Sequence, residues 1–278
     1  MKFSSLVLVG FLGAAVPLVH PVAPPAVRSL VFHDPVSILT ALPGETVALE
    51  ALDRRWTWTA PALPGLYPLH VVSNDQRDSL TIQAFVLVPY DRMRGEYLNG
   101  YRIGRYPAHP LRGLDIYRAP TGFVEVTREN EDAFVSPHFR LKQFLCKQTG
   151  GYPKYVVLNE ALIQRLEHLL ELANASGYSV STFYVMSGYR TPAYNRALGN
   201  VMYSRHTFGS AADIFVDENH DGVMDDLNRD GRIDERDADV LYRLFDGPQR
   251  GGGLGKYHAT ASHGPFVHVD IRDRTARW

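Results

Sequence analysis

The chain has 278 residues, which is long for one compact domain and comfortable for two. Hydrophobic residues make up 45% of it and charged residues 21%, the usage of a globular protein with a normal core, so a disordered or fibrous chain is excluded. The charges of the 29 Lys and Arg residues nearly balance those of the 30 Asp and Glu residues. No net electrostatic field therefore favours binding to nucleic acid or to an anionic membrane surface. Any partner must therefore be recognised at a local site.

The first 26 residues are typical of a signal peptide or an N-terminal anchor. Lys2 supplies a positive start, and residues 6–19 form an uncharged apolar run that ends at a proline-rich stretch. The run is shorter than the roughly 20 residues that a membrane span needs, which favours a signal, although a retained anchor also fits. The sequence thus predicts an exported protein, periplasmic or associated with the cell envelope, that contacts a membrane only through this segment.

Residues 27–89 have the pattern of a small β-sandwich. Short runs rich in β-forming residues alternate with turn pairs such as Pro43-Gly44 and Asn74-Asp75. Residues 90–135 are broken into short extended pieces by prolines and glycines, and we interpret them as a connector that packs on the next domain. Residues 136–278 are predicted to form this second domain, with an antiparallel sheet and flanking helices, so the fold class is α+β.

The clearest helix is predicted over residues 160–175, because its leucines and isoleucine recur at helical spacing. Asn159 is the expected N-cap. The other elements predicted in this domain are strands at 178–186, 213–216 and 265–271 and a short helix at 192–198.

Two histidines and an aspartate form a candidate metal site. His206 and Asp213 lie on either side of small residues that let the backbone pass close to a metal, and His268 is centred in an apolar strand. Two imidazoles and one carboxylate leave one tetrahedral position free for water, as a catalytic zinc site requires. The combination predicts zinc, since any single pair is weak evidence in a chain with 11 histidines.

Several separated segments resemble one known family. Residues 187–191 are similar to its substrate-binding segment, 204–214 to its first metal motif and 266–270 to its second, while 139–146 more weakly resemble the helix that opens the domain. The family is that of the zinc D-alanyl-D-alanine carboxypeptidase-like peptidases, related in fold to VanX-type dipeptidases and the hedgehog signalling domain. The resemblance covers residues 136–278 and implies a zinc peptidase that cuts peptidoglycan stem peptides, as a carboxypeptidase or an endopeptidase.

The resemblance also implies a substrate-binding arginine. The planar guanidinium of Arg190 would grip a peptide carboxylate or stabilise the oxyanion that forms at the scissile carbonyl. Ser187, Tyr189 and Asn195 are its expected companions in substrate binding.

The general base is the point at which this chain departs from better-known members of the family. Those members often carry Glu, Asp or His two or three residues before the last ligand, where this chain has proline and phenylalanine. Asp270 is the leading substitute, because the two-residue period of a strand places it on the same face as His268. It could equally orient a ligand. His263 and His258 are the reserve candidates.

Residues 217–237 contain a nine-residue repeat with the spacing of calcium ligands. The second copy resembles the loops of dockerins and EF-hands, with an aspartate in place of the usual glutamate at its last position and a helix predicted to follow at 238–245. The predicted calcium ligands are Asp217, Asn219, Asp221, Asp225, Asp226, Asn228, Asp230, Arg232 (through its backbone carbonyl), Asp234 and Asp237. Because the insert separates two zinc ligands, calcium is predicted to order the segment between them.

Two other functions fit the same sequence. One is a non-catalytic binding module, in which zinc stabilises the fold and the N-terminal part holds a cell-wall or protein partner. The other is a calcium-dependent interaction protein that docks a partner through residues 217–237.

Overall fold

The computed structural model describes residues 27–32, 38–247 and 251–278. The predicted signal peptide or anchor at residues 1–26 lies outside the described residues. Within the described part, no helix is both long enough and apolar enough to span a membrane.

The described residues form a mixed α and β structure, which confirms the α+β fold class. The strands are β1 (Arg28–Phe32), β2 (Ile38–Ala41), β3 (Thr46–Ala51), β4 (Arg54–Thr59), β5 (Gly65–Val72), β6 (Ser79–Val86), β7 (Val88–Pro89), β8 (Tyr97–Leu98), β9 (Tyr101–Arg102), β10 (Gly122–Val126), β11 (Lys154–Val156), β12 (Tyr184–Ser187), β13 (Ala211–Phe215), β14 (Gly253–Tyr257), β15 (Phe266–Asp270) and β16 (Ala276–Arg277). The helices are α1 (Glu160–Ala175), α2 (Pro192–Ala197) and α3 (Glu235–Phe245).

The N-terminal part contains two three-stranded sheets, ordered β1-β3-β4 and β2-β6-β5. Each has one parallel pair, β1 with β3 and β2 with β6, and its other pair is antiparallel. Alternate residues of β3, such as Val47 and Leu49, are buried in one cluster with Ile82 and Ala84 of β6. Two sheets with a common core agree with a β-sandwich, while the domain limits stay a prediction.

The segment at residues 90–135 shares its core with the C-terminal part of the chain. Strand β10 pairs antiparallel with β7 on one side and with β11 on the other. Leu98, Ile103 and Phe123 are fully buried in the same cluster as Phe139 and Leu166. The connector is therefore packed firmly against the C-terminal part of the molecule.

Helix α1 has the bounds that the sequence predicts. The side chain of Asn159 accepts a hydrogen bond from the backbone N–H of Ala161, which satisfies one free donor of the first turn. Its apolar face is buried in the core and consists of Leu162, Ile163, Leu166, Leu169, Leu170 and Ala173.

A five-stranded sheet, ordered β12-β13-β15-β14-β16, carries the candidate site. Asp213 of β13, His268 of β15 and Gly255 of β14 lie in register across it. Residues in register share a face of the sheet, so the first two side chains are neighbours.

The strand predicted over residues 178–186 is shorter in the structure and begins at Tyr184. The preceding residues form a loop that Asn174 holds in place. Its side chain accepts a hydrogen bond from the backbone N–H of Val180 and donates one to the same residue's carbonyl. These hydrogen bonds take the place of the strand-to-strand hydrogen bonds that a longer strand would need.

Candidate metal centre

The structure brings His206, Asp213 and His268 together. Their ligand atoms all lie within 4.8 Å of one another. Nε2 of His206 is 3.3 Å from Oδ1 of Asp213, and Nδ1 of His268 is 2.7 Å from the same oxygen. Within the described part of the chain, this is the one group of three or more His, Cys, Asp or Glu side chains that converges in this way.

A left-handed turn connects the first two ligands. His206 lies in a 3-10 helix, Arg205–Phe208, that ends at Gly209 with φ of 64°. A Cβ atom at position 209 would overlap the carbonyl oxygen of Val157. Glycine is therefore required here both for the backbone conformation and for the close approach, and the turn directs the chain into β13 and Asp213.

Each imidazole is oriented by a partner of the ring nitrogen that points away from the centre. Nδ1 of His206 lies 2.8 Å from the carbonyl oxygen of Gly188. Nε2 of His268 lies 3.4 Å from Oδ2 of Asp270. Partners of this kind fix the tautomer of a ligating histidine, so His206 presents Nε2 to the centre and His268 presents Nδ1.

The donor set fits zinc. Two imidazole nitrogens and one carboxylate oxygen form a common catalytic zinc set, and the outer hydrogen bonds hold both rings as ligands require. Calcium would need six to eight oxygen ligands, which this cluster does not offer.

Burial and neighbouring charges shift the pKa values of the three groups. Burial lowers the pKa of His206, and the adjacent Asp213 offsets only part of this effect. Burial opposes ionisation of Asp213, but the two histidines hold its pKa far below the ordinary range. Burial also acts against the charged form of His268, yet the hydrogen bonds that its ring donates to Asp213 and Asp270 leave its pKa raised. Asp213 is therefore a carboxylate, the form that a metal binds.

Arg190 lies directly beside this carboxylate. Its Nη2 atom is 2.5 Å from Oδ2 of Asp213, and its Nε donates a hydrogen bond to Oγ of Ser187 at 2.7 Å. Its backbone N–H donates to the carbonyl of His206. Arg190 is thus tied to two of the proposed ligands, to Asp213 by its guanidinium and to His206 by its backbone, and 15% of its side chain remains exposed.

The comparison with protein families agrees with this geometry. Residues 137–237 match the family model Peptidase M15. This segment is similar to the M15 peptidases. The match confirms the resemblance inferred from the motifs and supports metallopeptidase activity on peptides. It includes Arg190, His206 and Asp213, whereas His268 lies beyond the matched residues. No curated protein matches the chain.

Two predicted substrate-binding residues of the M15 segment are buried, with 2% exposure each. The hydroxyl of Tyr189 lies 2.9 Å from that of Tyr106, which donates to the carbonyl of Thr207. The side-chain amide of Asn195 donates to the carbonyl of Val201. Both side chains are enclosed in this arrangement and support the site from within, and their contact with a peptide stays a prediction.

Asp270 lies behind His268 and is fully buried. Its Oδ1 accepts a hydrogen bond from the N–H of Gly253 at 2.9 Å, and its Oδ2 accepts one from Nη2 of Arg272 at 2.5 Å. Burial alone would raise its pKa, but Arg272 and His268 hold it far below the ordinary range. A carboxylate engaged in this way orients a ligand and is poorly placed to take a proton from water.

His263 is partly exposed, and His258 is exposed in the same loop. The ring of His263 packs edge-on against Phe266, with centroids 5.1 Å apart. Phe266 and His268 are two residues apart along β15, so their side chains share a face of the sheet. His263 therefore lies on the metal-binding side of the sheet.

One aromatic residue near the candidate metal centre was missed by sequence reasoning. The ring of Trp278 lies 5.4 Å from that of His268. It follows β16, which is only two residues long, and a strand so short leaves no periodic signal in the sequence.

The acidic repeat folds as two similar turns. Asp217 accepts hydrogen bonds from the N–H groups of residues 221 and 222, and Asp226 accepts them from 230 and 231. The glycines Gly222 and Gly231 have φ of 81° and 82°. The two copies of the sequence repeat therefore form the same kind of backbone turn.

The last predicted calcium ligand is engaged elsewhere. Asp237 is fully buried and accepts hydrogen bonds from the N–H groups of Leu227, Asn228 and Asp234. The carboxylates of the repeat are not among the side chains that converge on a metal position in the described residues. Calcium binding therefore stays a prediction.

Proposed function

We propose that the protein is a zinc-dependent peptidase that hydrolyses a peptide bond in peptidoglycan stem peptides. The observation that carries the proposal is the convergence of His206, Asp213 and His268, two of which lie in the segment that matches the M15 peptidases. Zinc, when bound, polarises a carbonyl group and brings the pKa of coordinated water down toward neutrality.

Arg190 binds the substrate in this proposal. Its guanidinium is held by Ser187 and Asp213 at the edge of the centre, so it is already oriented when a peptide arrives. A group fixed in this way can pair with a substrate carboxylate or stabilise negative charge that develops on the carbonyl oxygen.

Asp270 and His263 have different tasks in this scheme. Asp270 holds His268 through its outer nitrogen and is itself held by Arg272. His263 is partly exposed on the metal-binding side of the sheet, and an imidazole can accept and return a proton. We assign proton transfer to His263 and ligand orientation to Asp270.

Export and calcium binding complete the proposal on sequence grounds. The apolar run at residues 6–19 supports passage out of the cytoplasm, where peptidoglycan is located. The repeated turns of residues 217–237 support a calcium-binding insert with a structural role.

A muropeptide assay tests the function. The purified, zinc-loaded protein is incubated with defined pentapeptide and cross-linked stem peptides, and the products are identified by mass spectrometry. Cleavage by the wild type, with loss of product in His206→Ala and retention in His258→Ala, would support the proposal. Absence of product from every such substrate, at full zinc occupancy, would overturn it.

A zinc-stabilised binding module is the second candidate. The full engagement of Asp270 favours it, because this chain has no acidic or histidine side chain at residues 265 and 266. In that case the zinc-loaded protein would bind the same stem peptides without cutting them. Equilibrium binding measured beside the cleavage assay separates the two functions.

A further inference from the structure

Trp278 is fixed beside the proposed zinc site. Its backbone N–H donates to the carbonyl of Leu254, and its carbonyl accepts from the N–H of Lys256, so it extends the pairing of β16 with β14. Its indole N–H donates to the hydroxyl of Tyr257 at 2.8 Å. The ring lies 5.4 Å from that of His268.

Gly255 provides the space for this ring. It is in register with His268 on the neighbouring strand. A Cβ atom at position 255 would overlap Cε2 and Nε1 of Trp278. The guanidinium of Arg272 lies 4.7 Å from the centre of the same ring. The indole thus packs on Gly255, lies beside the cation of Arg272 and donates a hydrogen bond to Tyr257.

The ring is nevertheless exposed. Trp278 has 44% of its surface accessible and Tyr257 has 38%. The ring of Tyr257 is stacked on that of Phe266, with centroids 4.7 Å apart and planes at 7°. Aromatic rings held rigidly yet left open to solvent are typical of binding surfaces. We call Trp278 and Tyr257 the aromatic wall.

The sheet places the aromatic wall opposite Arg190. The ligand-bearing strands β13 and β15 are central, with β12 on one side and β14 and β16 on the other. Arg190 follows β12, and the wall stands on β14 and just after β16. A peptide that crosses the centre would meet Arg190 at one end and the wall at the other.

We infer that the aromatic wall is the subsite for an apolar side chain on the substrate residue that supplies the scissile carbonyl. This inference rests on the proposed function, because Arg190 is taken to grip the carboxylate on the C-terminal side of the bond. The wall then faces the N-terminal side. Trp278 acts as a specificity-determining residue, and glycine at that substrate position leaves the wall uncovered.

A substrate series tests the wall. Zinc-loaded wild type, Trp278→Ala and Trp278→Phe are assayed on acylated peptides that carry glycine, alanine or leucine before the scissile bond. We expect the wild type to prefer leucine to glycine in kcat/KM by at least about tenfold. In Trp278→Ala the leucine peptide should lose at least about tenfold more in kcat/KM than the glycine peptide does, and Trp278→Phe should retain part of the preference for leucine.

Gly255→Ala provides a second route to the same result, since it displaces the indole without removing it. Trp56→Ala, on the N-terminal sheets, is the matched control and keeps the wild-type preference. Zinc affinity, measured by competition with a chromophoric chelator, should change less than twofold in Trp278→Ala. The inference is overturned if Trp278→Ala still prefers the leucine peptide as the wild type does, or if its kcat/KM falls equally on the glycine and leucine peptides.

Binding distinguishes this failure from failure of the proposed function. If the wild type cuts none of the peptides, the same series is titrated by calorimetry. Tighter binding of the leucine peptide that is lost in Trp278→Ala supports the aromatic wall and rejects only the peptidase. Equal affinity of the wild type for the glycine and leucine peptides rejects the wall.

Discussion

Nε2 of His268 lies 3.4 Å from Oδ2 of Asp270, on the outer side of a ring whose Nδ1 is 2.7 Å from Asp213. The histidine is therefore held between two carboxylates. Asp270 is held in turn by Arg272 and by the backbone of Gly253. This series of contacts supports the proposal that Asp270 aligns His268 as a zinc ligand.

Asp270→Asn should weaken zinc binding by about 10–100-fold, because the outer partner of His268 loses its charge. Competition with a chromophoric chelator measures the affinity. Asp273→Asn, at an exposed position three residues further along the chain, is the matched control and should bind zinc as the wild type does. Unchanged zinc affinity in Asp270→Asn with abolished cleavage would instead assign Asp270 the role of the base.

Asp270 should also contribute to the acid sensitivity of the zinc-free protein. Its folded pKa lies below the ordinary aspartate value of about 3.9, so its contribution to stability is present above that pH and is lost as the pH falls further. Thermal midpoints measured from pH 5 downward should fall less steeply in Asp270→Asn than in the wild type. Equal slopes for the two proteins would show that the carboxylate adds no pH-dependent stability.

Gly209→Ala should destabilise the protein by about 2 kcal/mol or more, from left-handed strain together with overlap on the carbonyl of Val157. Gly199→Ala separates the two effects. Gly199 also has a positive φ, of 75°, but nothing lies within 4 Å of an added Cβ, so strain alone should cost about 1 kcal/mol. Urea unfolding measures both variants, and equal losses would mean that the contact with Val157 is unimportant.

Arg190→Lys should reduce kcat/KM by about 10²–10³-fold, because a fixed donor to the substrate carboxylate or to the developing oxyanion is lost. A lysine keeps the charge but cannot bind Ser187 and Asp213 at the same time through a planar fork. Steady-state kinetics on a cleaved stem peptide provide the measurement. Arg196→Lys, at an exposed position of α2, should behave as the wild type; full activity of Arg190→Lys would remove this role.

Features that depend on interactions between nearby residues were predictable from the sequence. The capping side chain of Asn159 and the apolar spacing of α1 depend on nearby residues, and the predicted bounds of that helix are correct. The three proposed zinc ligands were recognised through motif context, although Asp213 and His268 are 55 residues apart.

Features that depend on distant neighbours were not predictable. Strand β14 is not among the strands that the sequence predicts, yet its glycines are required by other segments. A Cβ at position 253 would collide with the carboxylate of Asp270, and one at 255 with Trp278. The burial of Tyr189 was missed for the same reason, because its partner Tyr106 lies 83 residues away in the connector.

Calcium should stabilise the protein through residues 217–237. Asp217 and Asp226 accept hydrogen bonds within the two turns, and a bound cation would tie their carboxylates to the other predicted ligands. At calcium concentrations about 100-fold above Kd, a calcium-selective chelator should lower the thermal midpoint by about 5 °C or more, with zinc content verified as unchanged. Asp226→Asn should lack this response. An unchanged wild-type midpoint at saturating chelator would show that the repeated turns are held by their own hydrogen bonds and that calcium has no structural role.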